Sequence, residues 1–118
     1  MIKIKKIKII KNKKGNIVKF LNKYQMPFKN FGEIYFSEVK KKYFKGWKYH
    51  NDRDQILTVV SGKIEFSFKK KLNSKLKVVR MEFPNKIFAI YIPRKTHYSF
   101  RCISKEKGMI ANIINKVI

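Results

Sequence analysis

Acidic residues are scarce. The 118-residue chain has 7 Asp and Glu against 30 Lys and Arg, a formal net charge of +23. Cysteine occurs once, at Cys102. A lone thiol forms no intramolecular disulfide and does not supply a cysteine-based zinc site. Histidine occurs twice, at His50 and His97. No window of 11 or more residues keeps a 3.6-residue apolar period with helix caps, so helices are not expected. No run approaches the roughly 18 apolar residues of a membrane span. The N-terminal MIKIKKIKII lacks the apolar block and small-residue cleavage site of a signal peptide. The expectation is a soluble cytoplasmic protein without a membrane partner. No repeat or linker interrupts the chain, so residues 1–118 are expected to form one domain. Hydrophobic residues make up 44%, too many for a disordered tail. A chain of this length folds without disulfide or metal.

The basic excess consists of 26 Lys and 4 Arg, spread along the whole chain. Arginine is the better fork for phosphates and guanine edges. Lys, Ile, Asn, Phe and Tyr are all abundant, while alanine occurs only at Ala89 and Ala111. The enriched types share A/T-rich codons, so coding bias can supply the excess without selection for nucleic acid. Nucleic acid is therefore not the expected partner. Anionic ligands should still be attracted, and less so as salt rises.

The pattern that is present is strand-like. Ile2, Ile4, Ile7 and Ile9 are interleaved with lysines as on a half-exposed strand. Further strands are expected at residues 17–21, 33–39, 43–50, 55–61, 63–68, 75–82, 88–92, 98–103 and 109–114. About ten short strands separated by Gly, Pro, Asn, Asp and Lys turns favour a sandwich, barrel or jelly roll. Both faces of Gln55 to Val60 are largely apolar, so this strand needs a cover on its outer side. A second subunit and an N-terminal strand of the same chain are equally compatible with that need.

Pocket chemistry concentrates between Lys45 and Gln55. Strand alternation puts Lys48 and His50 on one face, with Trp47 and Tyr49 on the other. A turn at residues 51–54 returns Gln55 beside them. Lys48, His50 and Gln55 are thus expected to converge in a barrel mouth. On the same parity Trp47 is expected to pack in the core. Cys102 lies in an apolar strand and is expected to be a buried, inert thiol.

Gly46-x-Lys48-x-His50, then Gln55 and Gly62, resembles the first cupin motif in spacing, and Pro93 followed by His97 or Tyr98 resembles the second. Lys14 to Ile17, Phe31 to Ser37, Lys45 to Trp47, Val60 to Lys63 and Tyr91 to Pro93 occur in the order found in short cupins related to dTDP-4-dehydrorhamnose 3,5-epimerase. The resemblance implies an all-β cupin jelly roll (a double-stranded β-helix), a homodimer, a sugar nucleotide in the barrel, and no metal or other cofactor. It implies a role in surface polysaccharide synthesis. The family's epimerases use a histidine base, a lysine beside the enolate and a tyrosine that returns a proton. On this chain those places hold Lys48, Gln55 and, near the last core strand, Ala111 or Asn112; the phosphate-contacting arginine is Lys45. The related dTDP-sugar 3,4-ketoisomerases carry a His-x-His pair with Gln five residues on. His50 and Gln55 match that pattern, and Lys48 replaces the first histidine.

The expected catalytic residues are therefore His50 as base and Lys48 as the cation near a developing oxyanion. Lys45, Gln55, Tyr35, His97 and Asn112 are the expected substrate contacts. Two histidines are too few for a metal cupin, and a lysine in a ligand position repels a cation. Three classes remain open: a cofactor-independent epimerase or isomerase, a sugar-nucleotide-binding cupin without turnover, and a basic protein that associates with nucleic acid.

Overall fold

A computed structural model describes residues 2–118. The strands are β1 (Lys3–Lys6), β2 (Lys8–Ile10), β3 (Ile17–Lys19), β4 (Glu33–Val39), β5 (Phe44–Tyr49), β6 (Gln55–Ser61), β7 (Lys63–Lys69), β8 (Lys77–Glu82), β9 (Phe88–Ile92), β10 (His97–Cys102) and β11 (Gly108–Ile114). One 3₁₀ turn, Lys23–Gln25, lies between β3 and β4. Five strands form a sheet in the order β1-β9-β6-β11-β4, four form a second in the order β5-β10-β7-β8, and β2 and β3 pair as a hairpin. All these pairings are antiparallel. The two larger sheets face each other as the expected jelly roll. No helix among the described residues is long and apolar enough to cross a membrane.

Period-two alternation decides which residues face inward. In β7, Ile64, Phe66 and Phe68 are buried, while Lys63, Glu65, Ser67 and Lys69 are not. They meet Leu57, Val59, Ile90, Ile92 and Ile110 of the five-stranded sheet in one core cluster. β6 departs from alternation. Its first five residues are buried on both faces, with Ile56 and Thr58 at 1% exposure. The single chain thus covers the outer face of β6 at these positions without a second subunit. The N-terminal segment divides into two strands instead of one. β1 extends the sheet by pairing with β9, with Ile4 opposite Ile90.

One expectation about side-chain direction is corrected. Trp47 is not in the core. It is 43% exposed, with the Lys69 ammonium 5.2 Å from its ring centre. His97 pairs with Tyr49, their rings tilted with centres 4.6 Å apart, and does not line the cavity between the sheets. Cys102 is buried as expected, with its Sγ 3.1 Å from the Ser104 hydroxyl and bonded to the Glu106 carbonyl.

Candidate functional site

The two sheets each contribute a polar row to an otherwise apolar interior. On the five-stranded sheet, Asn112 of β11 lies opposite Tyr35 of β4 and Leu57 of β6, and Ile114 lies opposite Gln55. This register brings Tyr35, Asn112 and Gln55 together. The Asn112 amide nitrogen donates to the Tyr35 hydroxyl at 2.9 Å and to Gln55 Oε1 at 2.8 Å. On the facing sheet, Tyr98 of β10 pairs with Lys48 of β5, and His50 follows β5 directly.

Tyr98 joins the two rows. Its hydroxyl accepts from Gln55 Nε2 at 3.1 Å and lies 3.1 Å from His50 Nε2. A hydroxyl has one proton to give; its two acceptors are an unprotonated His50 Nε2 at 3.1 Å and Gln55 Oε1 at 3.4 Å, and the shorter contact favours the imidazole. His50, Tyr98, Gln55, Asn112 and Tyr35 therefore form one continuous hydrogen-bonded chain. The Asn112 Oδ1 atom is buried without a partner. An orphaned buried acceptor costs about 1–3 kcal/mol unless a donor reaches it.

Around this chain lies a narrow cavity of about 20 Å³, lined by Tyr35, Ser37, Lys48, Leu57, Tyr98, Phe100, Ile110 and Asn112. A space this small holds a water molecule. Lys48 is the flexible wall, its ammonium 5.3 Å from the Phe100 ring centre. His50 and Gln55 stand behind the lining and reach it through Tyr98. A wider depression of about 470 Å³ lies within the loop containing Met26, Pro27 and Phe28. Its titratable lining residues are Lys23 and Lys29 only, so it lacks an acid–base pair.

Burial shapes the protonation of the site. It lowers the His50 pKa, helped by Arg53 and Lys48 and opposed by Asp52. It also lowers that of Lys48, and Lys45 adds to the effect. It raises the Tyr98 phenol to about 12, against the hydrogen bond with Gln55. At neutral pH His50 is thus neutral and Tyr98 protonated, the states needed for a base and a donor.

The loop behind His50 is anchored. The Lys95 N–H donates to the His50 carbonyl at 2.6 Å. The Asp54 carboxylate accepts from the Arg94 backbone at 2.8 Å and guanidinium at 3.3 Å, and from Asn115 at 3.2 Å. Lys45 reaches the site by an irregularity. Between Tyr98 and Phe100 the register with β5 shifts, so Lys48 and Lys45 are both paired to inward residues. Lys45 then donates to Ser37 Oγ at 3.2 Å and the Glu38 carbonyl at 2.6 Å, bridging the edges of the two sheets.

Of the seven sequence-predicted residues, Tyr35, Lys48 and Asn112 line the cavity, His50 and Gln55 bond to its Tyr98 wall, Lys45 bonds to its Ser37 wall, and His97 does neither. Tyr98 is the residue that sequence reasoning undervalued. Its position in the second motif, at the alternative to His97, was the available signal. Among the described residues, no group of three or more His, Cys, Asp or Glu is placed to hold a metal ion.

Comparisons with known proteins point the same way. The chain is similar to a dTDP sugar isomerase from Desulfovibrio desulfuricans G20, with 25% identity and a TM-score of 0.88 over 99% of this chain and 78% of that one. It shares its fold with QdtA, a sugar 3,4-ketoisomerase from Thermoanaerobacterium thermosaccharolyticum solved with TDP, at 18% identity and a TM-score of 0.81 over 99% and 82% of the two chains. It also shares its fold with the 3,5-epimerase RmlC from Legionella pneumophila Philadelphia 1 solved with dTDP-4-keto-L-rhamnose, at 18% identity and a TM-score of 0.84 over 99% and 68%. No curated protein matches the chain. The family described as "FdtA: WxcM-like, C-terminal" matches residues 1–112, nearly the whole chain, and the protein belongs to that family.

Proposed function

We propose that the protein is an isomerase-type cupin that moves a proton next to the ketone of a dTDP-4-keto-6-deoxy sugar. The observation that carries this reading is the His50–Tyr98–Gln55–Asn112–Tyr35 chain beside a cavity with a lysine in its wall. The family match and the likeness to a dTDP sugar isomerase support it.

In this reading the sugar enters as the Lys48 side chain swings aside. The Tyr98 oxygen takes the carbon-bound proton while its own proton passes to His50 Nε2. Concerted transfer avoids a free phenolate, which a pKa of about 12 makes costly. Lys48 faces the carbonyl oxygen, where negative charge develops. A sugar hydroxyl donates to the orphaned Asn112 Oδ1. Lys45, Gln55 and Tyr35 complete the contacts, Lys45 on the diphosphate side. The product feeds surface polysaccharide synthesis in the cytoplasm.

We also propose that the chain works as a homodimer. On the outer face of β4, Ile34 is 47% and Phe36 60% exposed. Ile34 lies opposite the partly exposed Ile113 of β11, which extends the apolar surface, while Ala111 opposite Phe36 is buried. A second copy is the occupant that fits this face.

The direct test is incubation of dTDP-4-keto-6-deoxyglucose with the protein in deuterated water. Carbon-bound deuterium at C3 or C5 is expected, slowed ~100-fold or more in His50→Asn. Tight binding of the sugar nucleotide with no exchange above buffer would instead identify a binding protein without turnover.

A further inference from the structure

Lys48 is half-buried, and among the described residues its charge meets an aromatic face but no anion. It lines the cavity with its ammonium over the Phe100 ring. Among the described residues no carboxylate pairs with it and no hydrogen-bond acceptor takes its protons. The titratable groups around it are Lys45 of its own strand, the Tyr35 and Tyr98 phenols, and His50. None of these brings a carboxylate to hold the charge.

We propose that Lys48 is a covalent catalyst, whose amine condenses with the ketone carbon of the keto-sugar nucleotide to form an iminium. The proposal rests on the reading of the cavity as a keto-sugar site. Two features favour the neutral amine that must attack: burial first, then repulsion from Lys45. Desolvation and a neighbouring cation are the two ways in which a lysine is activated toward carbonyls.

The steps balance without an oxidant or reductant. Lys48 Nζ forms a bond to C4, and the carbonyl oxygen takes up protons and leaves as water. The iminium then accepts the electron pair of the neighbouring C–H bond as that proton moves to Tyr98 and His50. An enamine results. Reprotonation at the same carbon, on either face, restores the iminium, and water hydrolyses it to the 4-ketone and the free amine. A full iminium charge is a deeper electron sink than an ammonium held against an oxyanion.

The route also restricts the outcome. Nitrogen stays on C4 until hydrolysis, so the ketone returns to C4. Moving the ketone to C3 would strand the amine on the sugar. The imine therefore commits this chain to proton exchange or inversion at C3 or C5, and not to a 3,4-ketone shift.

The test is reductive trapping. The full-length protein is incubated with dTDP-4-keto-6-deoxyglucose and cyanoborohydride, and the adduct is located by peptide mass mapping. One sugar nucleotide per chain on Lys48 is expected, suppressed by excess dTDP and absent in Lys48→Arg. The chain has 26 lysines, so competition by dTDP and localisation are the decisive readouts. Label scattered over exposed lysines, or insensitive to dTDP, would overturn the proposal. Lys48→Arg keeps the charge, and its folding is checked by circular dichroism. Deuterium exchange in that variant should fall at least ~100-fold. Exchange within a few fold of the native rate, or a product carrying its ketone at C3, would remove the imine and leave the keto-sugar site standing. Absence of any sugar-nucleotide binding by calorimetry would remove both.

Discussion

At the residue scale the site turns on one hydroxyl. Tyr98 connects the imidazole of His50 to the amide of Gln55 across the interior. Tyr98→Phe keeps the ring, which packs 6.4 Å from Phe100. It deletes the proton path and leaves Gln55 Nε2 without its acceptor. Deuterium exchange should fall ~100-fold or more, while dTDP binding changes little. Loss of binding and exchange together would mean that Tyr98 shapes the cavity and carries no proton. His50 gives a second test. Its folded pKa lies below the ordinary histidine value, chiefly from burial and then from Arg53. An unfolded chain therefore takes up this proton first. Stability contributed by neutral His50 is present above pH ~6.5 and declines as pH falls from there toward the lowered folded pKa. Arg53→Gln removes one cationic neighbour and should move the His50 titration, and the acid limb of the rate profile, upward toward the ordinary value. Both are measurable by proton NMR, since only one other histidine is present. An unchanged titration would mean that burial sets the value and that the Arg53 charge does not reach the imidazole.

At the scale of elements, a break in strand regularity places Lys45. Simple alternation puts Lys45 on the face opposite Lys48, because the two are three residues apart. The register shift between Tyr98 and Phe100 cancels that difference. Gly46 makes the close approach possible. Its φ is +135°, and a Cβ there would sit 2.6 Å from the Ser99 Cβ and 2.8 Å from its Cα. Gly46→Ala should cost about 2 kcal/mol or more, through strain and collision with a buried neighbour. Gly15 is the control. Its φ is +134°, yet nothing lies within 4 Å of an added Cβ. Gly15→Ala should cost about 1 kcal/mol, and thermal denaturation of both variants measures the difference. Equal losses would show that Ser99 yields easily. This break also marks the limit of legibility in the sequence. The spacing from Gly46 to Gln55 reveals Lys48 and His50 because both lie on the uninterrupted side of the bulge. Alternation alone does not bring Lys45 to that face, because the compensating residue, Ser99, is more than fifty positions away; only the family pattern names Lys45. Asn112 is legible from the family pattern of the last core strand. Trp47 is not, because large aromatics usually face the core. Strand spans such as residues 33–39 and 55–61 follow from their own alternation or apolar content. The pairing of β1 with β9 does not, since no local pattern names a partner so distant in the chain.

At the scale of the molecule, charge and apolar surface act against each other. Each chain carries a formal +23, which draws in an anionic sugar nucleotide and repels a second copy. Added salt screens both effects, since the Debye length shrinks from about 30 Å at 0.01 M to about 8 Å at 0.15 M. The two proposed associations should therefore respond in opposite directions. Affinity for dTDP should fall as salt rises, and Lys45→Ala should weaken binding while flattening that dependence. A dimer formed through Ile34 and Phe36 should strengthen over the same range, because burial of apolar area survives screening while repulsion does not. Sedimentation velocity at the two salt levels, run beside dTDP calorimetry, separates the two cases. Phe36→Lys adds a charge to the centre of the apolar face and should leave a monomer at both. Its neighbour Tyr35 points to the cavity from the same strand, so retained dTDP binding would show that the inner face is intact. A native dimer that dissociates with salt would mean that ion pairs hold the interface. A dimer that survives Phe36→Lys would move the interface away from β4.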